Sequence, residues 1–304
     1  KTQKASKGLA KLCAQDKNKI LQHIALEIKN QQEALKAENA KDMEAGKKGN
    51  LSGALLDRLL LNDSRILGML ESLETVIKLD DPVGEIFDSK KLLNGAFVGK
   101  KRIPLGTIAM IYESRPNVAV EAASLCIKSG NGVILRGGKE ATYSNAFLGK
   151  LIQTGIQKAG FSPDMVSMIE VADRETVLHL VKAKGLIDVV IPRGGEGLIN
   201  FVSEHALIPV IKHDKGVCSL FIDENAQKDM AQAIAINAKV QRPGVCNAIE
   251  NLFIHKNYPY AKELVLALIE KQVEIRGDQK IALLDNKIKP LKDLKELAEE
   301  YLDL

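Results

Sequence analysis

Residues 106–138, GTIAMIYESRPNVAVEAASLCIKSGNGVILRGG, contain the pattern that decides the fold. The short apolar run Thr107–Tyr112 predicts a buried strand, and Val133–Arg136 predicts a second one. Between them, Val118–Lys128 has the length and apolar spacing of a helix. A strand, a helix and a second strand at this spacing indicate parallel strands of one sheet.

The same alternation continues in the C-terminal direction and predicts a parallel sheet covered by helices on both faces. We expect further strands at Val166–Ile169, Ile187–Ile191 and Pro209–Lys212, and helices at Ala141–Lys158, Arg174–Ala183 and Gly195–His205. A second α/β domain then begins, with strands at Ser219–Asp223 and Asn251–His255 and helices at Gln227–Val240 and Tyr258–Lys271. Only part of that domain is expected before Leu304.

On the N-terminal side, the sequence of residues 1–80 predicts helices. Ile20, Ile24 and Ile28 repeat every four residues, as on one helix face. Ser52 is placed to cap a later helix. Residues 83–105 change character, and Asn94-Gly95 is a strong short-range signal for a hairpin. We therefore expect an antiparallel ribbon that projects between two parts of a larger domain.

Composition limits the kinds of function that are plausible. The chain has 304 residues, a net charge of +4 and 27% charged residues, with no basic tail that would indicate nucleic-acid binding. No apolar run approaches the length of a membrane span. The four cysteines are far apart and form no CxxC pair, which argues against a zinc site and for a reducing compartment. We predict a cytoplasmic protein of enzyme size, with no metal, nucleic acid or membrane partner.

Three glycine- or proline-containing turns follow predicted strands. They are Arg115-Pro116-Asn117, Arg136-Gly137-Gly138 and Pro192-Arg193-Gly194-Gly195. Ligands of such sheets bind beyond the carboxyl ends of the strands, so these turns are expected to gather at one edge. The amides at a glycine turn before a helix favour a pyrophosphate. The spacing at Gly194 and Gly195 matches neither GxGxxG nor a Walker loop, and a plain tight turn fits equally well.

Several side chains at these turns could bind an anion. Arg136 and Lys139 are suited to a phosphate, unless both point into solvent. Arg115 offers a guanidinium to a carboxylate or phosphate. Asn117 offers an amide donor, or it could cap the helix over residues 118–128.

The loop Gln241–Asn247, QRPGVCN, presents Cys246 after a proline and a glycine. A thiolate nucleophile needs a fixed position and nearby positive charge, and Arg242 could supply the charge. Alternatively, Cys246 is a small buried hydrophobic residue and Arg242 pairs with a structural carboxylate. No histidine has a sequence context that marks it as the base of a Cys–His pair. His213, after a strand end, is the one worth following.

Seven segments in the same order resemble the aldehyde dehydrogenase superfamily, and within it the family that reduces L-glutamate 5-phosphate. They are AENAKDMEAG (37–46), LLDRLLL (55–61), PLGTIAMIYESRPN (104–117), CIKSGNGVILRGGKEA (126–141), VIPRGGEGLI (190–199), AKVQRPGVCNA (238–248) and EEYLDL (299–304). The resemblance covers essentially the whole chain. It implies NADPH-dependent reduction of L-glutamate 5-phosphate to the 5-semialdehyde, the second step of proline biosynthesis.

The resemblance also implies a domain organisation. It places a Rossmann-type NADP-binding domain at residues 1–82 and 106–217, a β-hairpin oligomerisation element at 83–105, and a partial catalytic domain at 218–304. Family members continue beyond the last motif, so an incomplete catalytic domain is expected. A homo-oligomer and an association with glutamate 5-kinase are the implied protein partners.

Residue roles follow from the same resemblance. Cys246 would be the nucleophile that forms a thioacyl-enzyme, and Asn117 would hold the developing oxyanion together with the cysteine backbone N–H. The turn Arg136, Gly137, Gly138 and Lys139 would contact the adenosine ribose, with Lys139 favouring NADPH over NADH. Gly194 and Gly195 would contact the pyrophosphate, and Glu300 the nicotinamide ribose. Arg115 and Arg242 are the predicted substrate contacts.

Two features depart from the superfamily or its family pattern. Hydrolytic members have a Glu-Leu-Gly-Gly-Lys segment whose glutamate activates water, whereas residues 211–216 read IKHDKG. A missing base favours an acyl phosphate over a free aldehyde, because water attack on the thioester would be wasteful. Gly244 stands where a serine is expected. The alternatives are another acylating aldehyde dehydrogenase, such as one acting on an acyl-CoA, or a dinucleotide-binding module without catalysis.

Overall fold

A computed structural model describes residues 1–171, 173–212 and 216–304 of the chain. The protein divides into two compact units, Lys1–Lys212 and His213–Leu304. Each unit contains parallel strands and helices, so the predicted α/β class is confirmed. The assignment of cofactor-binding and catalytic roles to particular segments stays a prediction.

The first unit is built on a four-stranded parallel sheet. Its strands are β3 (Thr107–Tyr112), β4 (Gly132–Arg136), β5 (Val166–Ile169) and β6 (Val189–Arg193). Their spatial order is β5-β4-β3-β6, so the chain moves outward from β3 to β5 and then returns to the other side of β3. This is the strand order of a Rossmann-type half, and it places a topological switch point between β3 and β6.

The structure has strands Gly132–Arg136, Cys218–Ile222 and Ile249–Ile254, each within two residues of the predicted Val133–Arg136, Ser219–Asp223 and Asn251–His255. Two further predicted strands also differ from the structure. The fourth sheet strand is Val189–Arg193, two residues later than the predicted Ile187–Ile191. The predicted strand Pro209–Lys212 does not form; only an isolated bridge joins Val190 to Val210. Val190 donates to the Pro209 carbonyl at 2.9 Å and accepts from Ile211 at 2.9 Å. Pro209 itself has no N–H to contribute to a longer ladder, which shortens the pairing.

Strand β3 supplies the cores on both faces of the sheet, because successive side chains of a strand point to opposite sides. Ile108 and Tyr112 belong to the larger core, whereas Ala109 and Ile111 belong to the smaller one. The whole strand is nearly inaccessible to solvent, as expected for a central parallel strand.

Nine helices of the described part surround this sheet or extend the N-terminal region. The N-terminal five are α1 (Thr2–Leu9), α2 (Ala14–Asn30), α3 (Gln32–Lys48), α4 (Gly53–Leu59) and α5 (Asp63–Lys78). The helices that follow the sheet strands are α6 (Asn117–Lys128), α7 (Thr142–Lys158), α8 (Arg174–Lys182) and α9 (Glu196–His205), and short 3-10 turns lie at Lys139–Ala141 and Pro163–Met165.

The predicted N-terminal helical features are confirmed. Ile20, Ile24 and Ile28 are fully buried on the core face of α2. Ser52 caps α4, since its hydroxyl accepts from the Leu55 N–H at 3.3 Å. Helix α7 has no cap of its own; Asp42 of α3 accepts from the first free N–H groups there, including that of Ser144 at 2.8 Å.

Residues 83–105 form the predicted antiparallel hairpin, with β1 at Ile86–Lys91 and β2 at Phe97–Lys101. Gly95 has a φ of 86° in the turn, and Leu92 and Ala96 close it with a 2.8 Å hydrogen bond. Both strands are exposed along nearly their whole length. The role of the hairpin in oligomerisation stays a prediction.

The second unit contains two pairs of parallel strands. Strands β7 (Cys218–Ile222) and β8 (Ile249–Ile254) pair directly, as do the two-residue strands β9 (Arg276–Gly277) and β10 (Lys289–Pro290). Helices α10 (Lys228–Val240), α11 (Ala261–Glu270) and α12 (Gln279–Ala282) and a 3-10 turn at Leu294–Ala298 complete it. Tyr258, Leu264 and Ala235 pack in its small core.

Candidate functional site

The three predicted turns of the first unit lie at the carboxyl ends of neighbouring strands and are joined to one another. Gly195, after β6, donates its N–H to the Glu113 carboxylate after β3 at 2.8 Å. Ser114, also after β3, donates its hydroxyl to Glu140 after β4 at 2.7 Å. The sheet order thus brings these segments to one edge, where the switch point between β3 and β6 predicts a ligand site.

Glu113, Ser114 and Glu140 were not among the predicted site residues. Ser114 has a φ of 45°, an uncommon conformation for a residue other than glycine. Backbone outliers of this kind cluster at functional sites. For Glu113 and Ser114, the signal available in the sequence was their position between β3 and the Arg-Pro-Asn turn.

The loop after β3 approaches the backbone of residue 194 so closely that only a glycine fits there. A Cβ at this position would collide with the Glu113 carboxylate and would lie 2.8 Å from a methyl of Leu198. In this structure the Glu113 carboxylate and Leu198 occupy the space beside the Gly194 backbone. The Gly195 N–H is engaged by Glu113, so a pyrophosphate here would have to displace that carboxylate.

Arg136 is buried, with 7% of its surface exposed, at the end of β4. Its Nη2 donates to the Asp173 carbonyl at 2.8 Å, which ties the end of β4 to the start of α8. Its buried Nε has no hydrogen-bond partner among the described residues. Burial lowers the pKa of the guanidinium, opposed by Glu140, Asp173 and Glu113. A buried guanidinium N–H without a partner is suited to an anionic ligand.

The neighbouring residues of this turn differ in exposure. Gly137 and Gly138 are buried, whereas Lys139 is exposed at the start of the 3-10 turn Lys139–Ala141. The Lys139 ammonium can therefore reach a ligand from solvent, while Arg136 acts from inside the fold.

Asn117 is the first residue of α6, with Pro116 as the N-cap residue. The possibility that Asn117 caps the helix is wrong: its side-chain amide donates to Glu121 Oε1 at 2.8 Å, one turn later. This contact satisfies no backbone N–H at the start of the helix. Instead, it orients the side-chain amide of Asn117. Arg115 is half-buried two residues earlier and is also engaged in an interaction.

In the second unit, Cys246 is exposed on the irregular loop that precedes β8. The alternative that Cys246 is a buried hydrophobic residue is therefore wrong. The backbone of Gly216 lies against the loop: a Cβ on Gly216 would be 3.2 Å from the Cys246 carbonyl oxygen and 4.0 Å from the Cys246 Cβ. The same Cβ would be 3.9 Å from Glu300 Oε1. Two predicted site residues, Cys246 and Glu300, thus flank one glycine.

Strand β8 positions the segment that contains Glu300. Asn251 of β8 donates to the Leu297 carbonyl at 2.9 Å, and Glu250 accepts from the Leu302 N–H at 3.2 Å. Glu250 is itself held by an ion pair of 2.9 Å with the largely buried Lys239. Since the cysteine loop leads directly into β8, one strand anchors both sides of the site.

Arg276 adds a second anchor for the same segment. Its guanidinium pairs with Glu296 at 3.0 Å and lies 5.2 Å from the ring centroid of Tyr301, next to Glu300. Sequence reasoning did not single out Arg276, because Glu296 and Tyr301 lie 20 and more residues away. Arg242 is exposed and forms no ion pair within the part of the chain that the structure describes.

Three further expectations concern His213, metal ions and membranes. His213 and the next two residues of the missing-base segment lie outside the described residues. Among residues 1–171, 173–212 and 216–304, no cluster of three potential metal ligands occurs. In these ranges, likewise, no helix is both long and apolar enough to cross a membrane.

The fold and these residues place the chain in a known group of proteins. The sequence profile of the aldehyde dehydrogenase family matches residues 1–299. The chain therefore belongs to the aldehyde dehydrogenase family.

Three relatives carry one name, gamma-glutamyl phosphate reductase. The protein of Geobacter metallireducens is 46% identical over 99% of this chain and 72% of its own length. That of Leptospira interrogans is 45% identical over 100% of this chain and 73% of its own length. The crystal structure of the Thermotoga maritima protein matches with a TM-score of 0.93 and 38% identity, over 100% of this chain and 73% of that one. The chain spans 66–73% of the length of such curated relatives.

Proposed function

We propose that this protein reduces L-glutamate 5-phosphate to L-glutamate 5-semialdehyde and phosphate with NADPH, through a thioester on Cys246. The observation that supports this most strongly is the exposed Cys246 beside Gly216 and Glu300, in a chain 45–46% identical to proteins named gamma-glutamyl phosphate reductase. The reaction would serve proline biosynthesis.

The chemistry begins at the Cys246 sulfur. The thiolate attacks the acyl carbon, a C–S bond forms, and the C–O bond to phosphate breaks with its electron pair leaving on the phosphate. When bound, NADPH supplies the hydride that reduces the thioester carbon. The resulting oxyanion collapses to the aldehyde and returns the C–S electron pair to Cys246. Asn117 provides an amide donor for the oxyanion.

The first unit has features that fit a dinucleotide. The buried Arg136 Nε has no partner among the described residues, which suits an anionic group of the cofactor. Lys139 is exposed where a 2′-phosphate of NADPH would meet a cation. Arg136, Gly137, Gly138, Lys139, Gly194, Gly195 and Glu300 are thus the residues proposed to hold the cofactor.

The substrate is proposed to be an acyl phosphate on the basis of two features. The segment 211–216, IKHDKG, has a lysine about where hydrolytic relatives have a glutamate base. The thioester would therefore persist until it is reduced. The exposed Arg242, four residues before Cys246, is suited to contact the leaving phosphate. Arg115 is the second proposed anion contact.

The test is the reverse reaction: NADP reduction with glutamate 5-semialdehyde, with and without phosphate. We expect activity that requires phosphate and that falls at least about a thousandfold in Cys246→Ser, because the hydroxyl is a far weaker nucleophile than a thiolate. Cys13→Ser, which changes an exposed cysteine of the first unit, serves as the matched control and should keep wild-type activity.

Each other outcome identifies an alternative. Activity retained by Cys246→Ser would rule out the thioester mechanism. Activity that requires coenzyme A in place of phosphate would favour another acylating aldehyde dehydrogenase. NADPH binding without turnover of either kind would favour a dinucleotide-binding module.

A further inference from the structure

A second cysteine lies next to Cys246 in the second unit. Cys218, the first residue of β7, has its sulfur 3.4 Å from the carbonyl oxygen of Cys246 and donates a hydrogen bond to it. Two residues earlier, a Cβ added to Gly216 would lie 3.2 Å from the same Cys246 carbonyl oxygen. The segment 216–218 thus runs along the cysteine loop, although the two thiols are 28 positions apart in the sequence.

The strand pairing explains this proximity. β7 and β8 are parallel, and Cys218 is paired with Ile249, three residues after Cys246. The pairing is irregular between Cys218 and Ser219, as at a β-bulge. Bulges re-aim side chains next to functional sites.

Accessibility and backbone geometry favour a reaction between the two sulfurs. Cys246 is exposed and Cys218 is half-buried. Residues 241–248 form turns and bends with no regular element. A shift of Cys246 to the span that a disulfide requires would therefore break no helix or strand pairing within this loop. By contrast, Cys126 is buried, and burial raises its pKa to about 12, which makes it an unreactive thiol.

We propose that Cys218 captures Cys246 when the latter is oxidised, forming a reversible Cys218–Cys246 disulfide that protects the nucleophile. The inference rests on the proposed role of Cys246 as a reactive thiolate. Cys218 is a modification site in this proposal and takes no part in the reduction of the substrate.

The chemistry requires a peroxide as oxidant. The Cys246 thiolate attacks one oxygen of hydrogen peroxide, the O–O bond breaks, and sulfenic acid and hydroxide result. The Cys218 thiolate then attacks the Cys246 sulfur; the S–S bond forms, the S–O bond breaks, and the oxygen leaves as water after taking a proton. Without Cys218, further peroxide would convert the sulfenic acid into sulfinic and sulfonic acids, which are not restored by thiols.

The test is mass spectrometry of the protein after treatment with hydrogen peroxide, without substrate or reductant. In the wild type we expect a loss of the mass of two hydrogens and a peptide linking Cys218 to Cys246, both reversed by dithiothreitol. In Cys218→Ser, which keeps a hydroxyl donor for the Cys246 carbonyl, we expect about tenfold more sulfinic and sulfonic acid at Cys246. Cys13→Ser should behave as the wild type.

Two results would overturn the proposal: no linked peptide in the wild type, or equal overoxidation of Cys246 in the wild type and Cys218→Ser. The wild-type readout does not depend on the variant folding. It also needs no turnover, so it separates failure of this inference from failure of the proposed function. If the reductase assay is negative and the linked peptide forms, the thiol pair stands and the substrate assignment falls.

Discussion

At the scale of single residues, the surroundings of each side chain in the Arg136–Lys139 turn differ more than the sequence indicates. Arg136 is buried and tied to the Asp173 carbonyl, whereas Lys139, after two intervening glycines, is exposed. The sequence presents them as two similar cations suited to phosphate. Substituting Arg136 would therefore disturb the fold as well as binding, and Lys139 is the better probe of cofactor choice.

Lys139→Glu is expected to reverse or abolish the preference for NADPH. A carboxylate would repel the 2′-phosphate where an ammonium would attract it, and a charged contact is worth about 1.5–3 kcal/mol, or roughly 10- to 100-fold in affinity. The measurement is the ratio of kcat/KM for NADPH and NADH. Lys182→Glu, an exposed lysine of α8, is the charge-matched control. An unchanged ratio in Lys139→Glu would remove Lys139 from the cofactor site.

Asn117→Asp is expected to lower kcat by about 100- to 1000-fold, because the substitution replaces an amide donor by a carboxylate that would repel the oxyanion. The structure adds a stability effect, since the new carboxylate would stand one turn from that of Glu121. Glu121→Gln keeps an acceptor oxygen for Asn117 and should retain most activity. Steady-state kinetics and thermal unfolding of both variants separate the two effects; near wild-type kcat in Asn117→Asp would refute the oxyanion role.

At the scale of elements, the larger core depends on a close crossing of α2 and α7. Gly155 of α7 faces the backbone of Ile24, where a Cβ would lie 2.7 Å from the Ile24 Cα and 2.8 Å from its nitrogen. The isoleucine stripe of α2 was readable from its spacing. The glycine that lets α7 approach that stripe was not, since a lone glycine in a helix gives no indication of its neighbour.

Gly155→Ala is expected to destabilise the protein by about 1–3 kcal/mol, because backbone atoms cannot yield as a flexible side chain can. Gly68→Ala is the matched control: Gly68 also lies within a helix, α5, but a Cβ there meets nothing within 4 Å. Alanine should be neutral or stabilise by about 0.5–1 kcal/mol at that site. Denaturant unfolding of both variants tests the contrast. If the free energy of unfolding of Gly155→Ala equalled that of Gly68→Ala, the close crossing of α2 and α7 would not be needed for stability.

At the scale of the whole molecule, the hairpin formed by β1 and β2 exposes large apolar side chains. Ile86, Leu93 and Phe97 are each more than 60% exposed, which is costly for large apolar side chains in water. Edge strands of this kind template pairing with another chain. We propose that a second copy of this protein covers the exposed hairpin.

Phe97→Asp is expected to shift the protein toward smaller assemblies, because a carboxylate in the middle of an apolar contact would be desolvated without a partner. Sedimentation velocity over a range of concentrations measures the shift. Leu283→Asp, which changes an equally exposed leucine of the second unit, controls for charge alone. An unchanged distribution of species in Phe97→Asp would exclude the hairpin as the oligomer contact.

The sequence determined much of this structure where the interactions are local or periodic. Strands β3 and β5 occupy the predicted residues, the Asn94-Gly95 turn closes the hairpin, and Ser52 caps α4. Hydrophobic periodicity and turn chemistry act over a few residues, so they can be read without knowledge of the fold. The order of the motifs also indicated the family.

The tertiary structure alone decided the contacts between distant segments. It placed Glu113 on the Gly195 N–H, Asp42 at the start of α7 and Cys218 against the Cys246 carbonyl. It also reduced the predicted strand at Pro209–Lys212 to a single bridge. Each outcome depends on which backbone groups the fold leaves unsatisfied and which side chains it brings within hydrogen-bonding distance. A linear sequence does not state those distances, because they arise only when the sheet and its helices pack together.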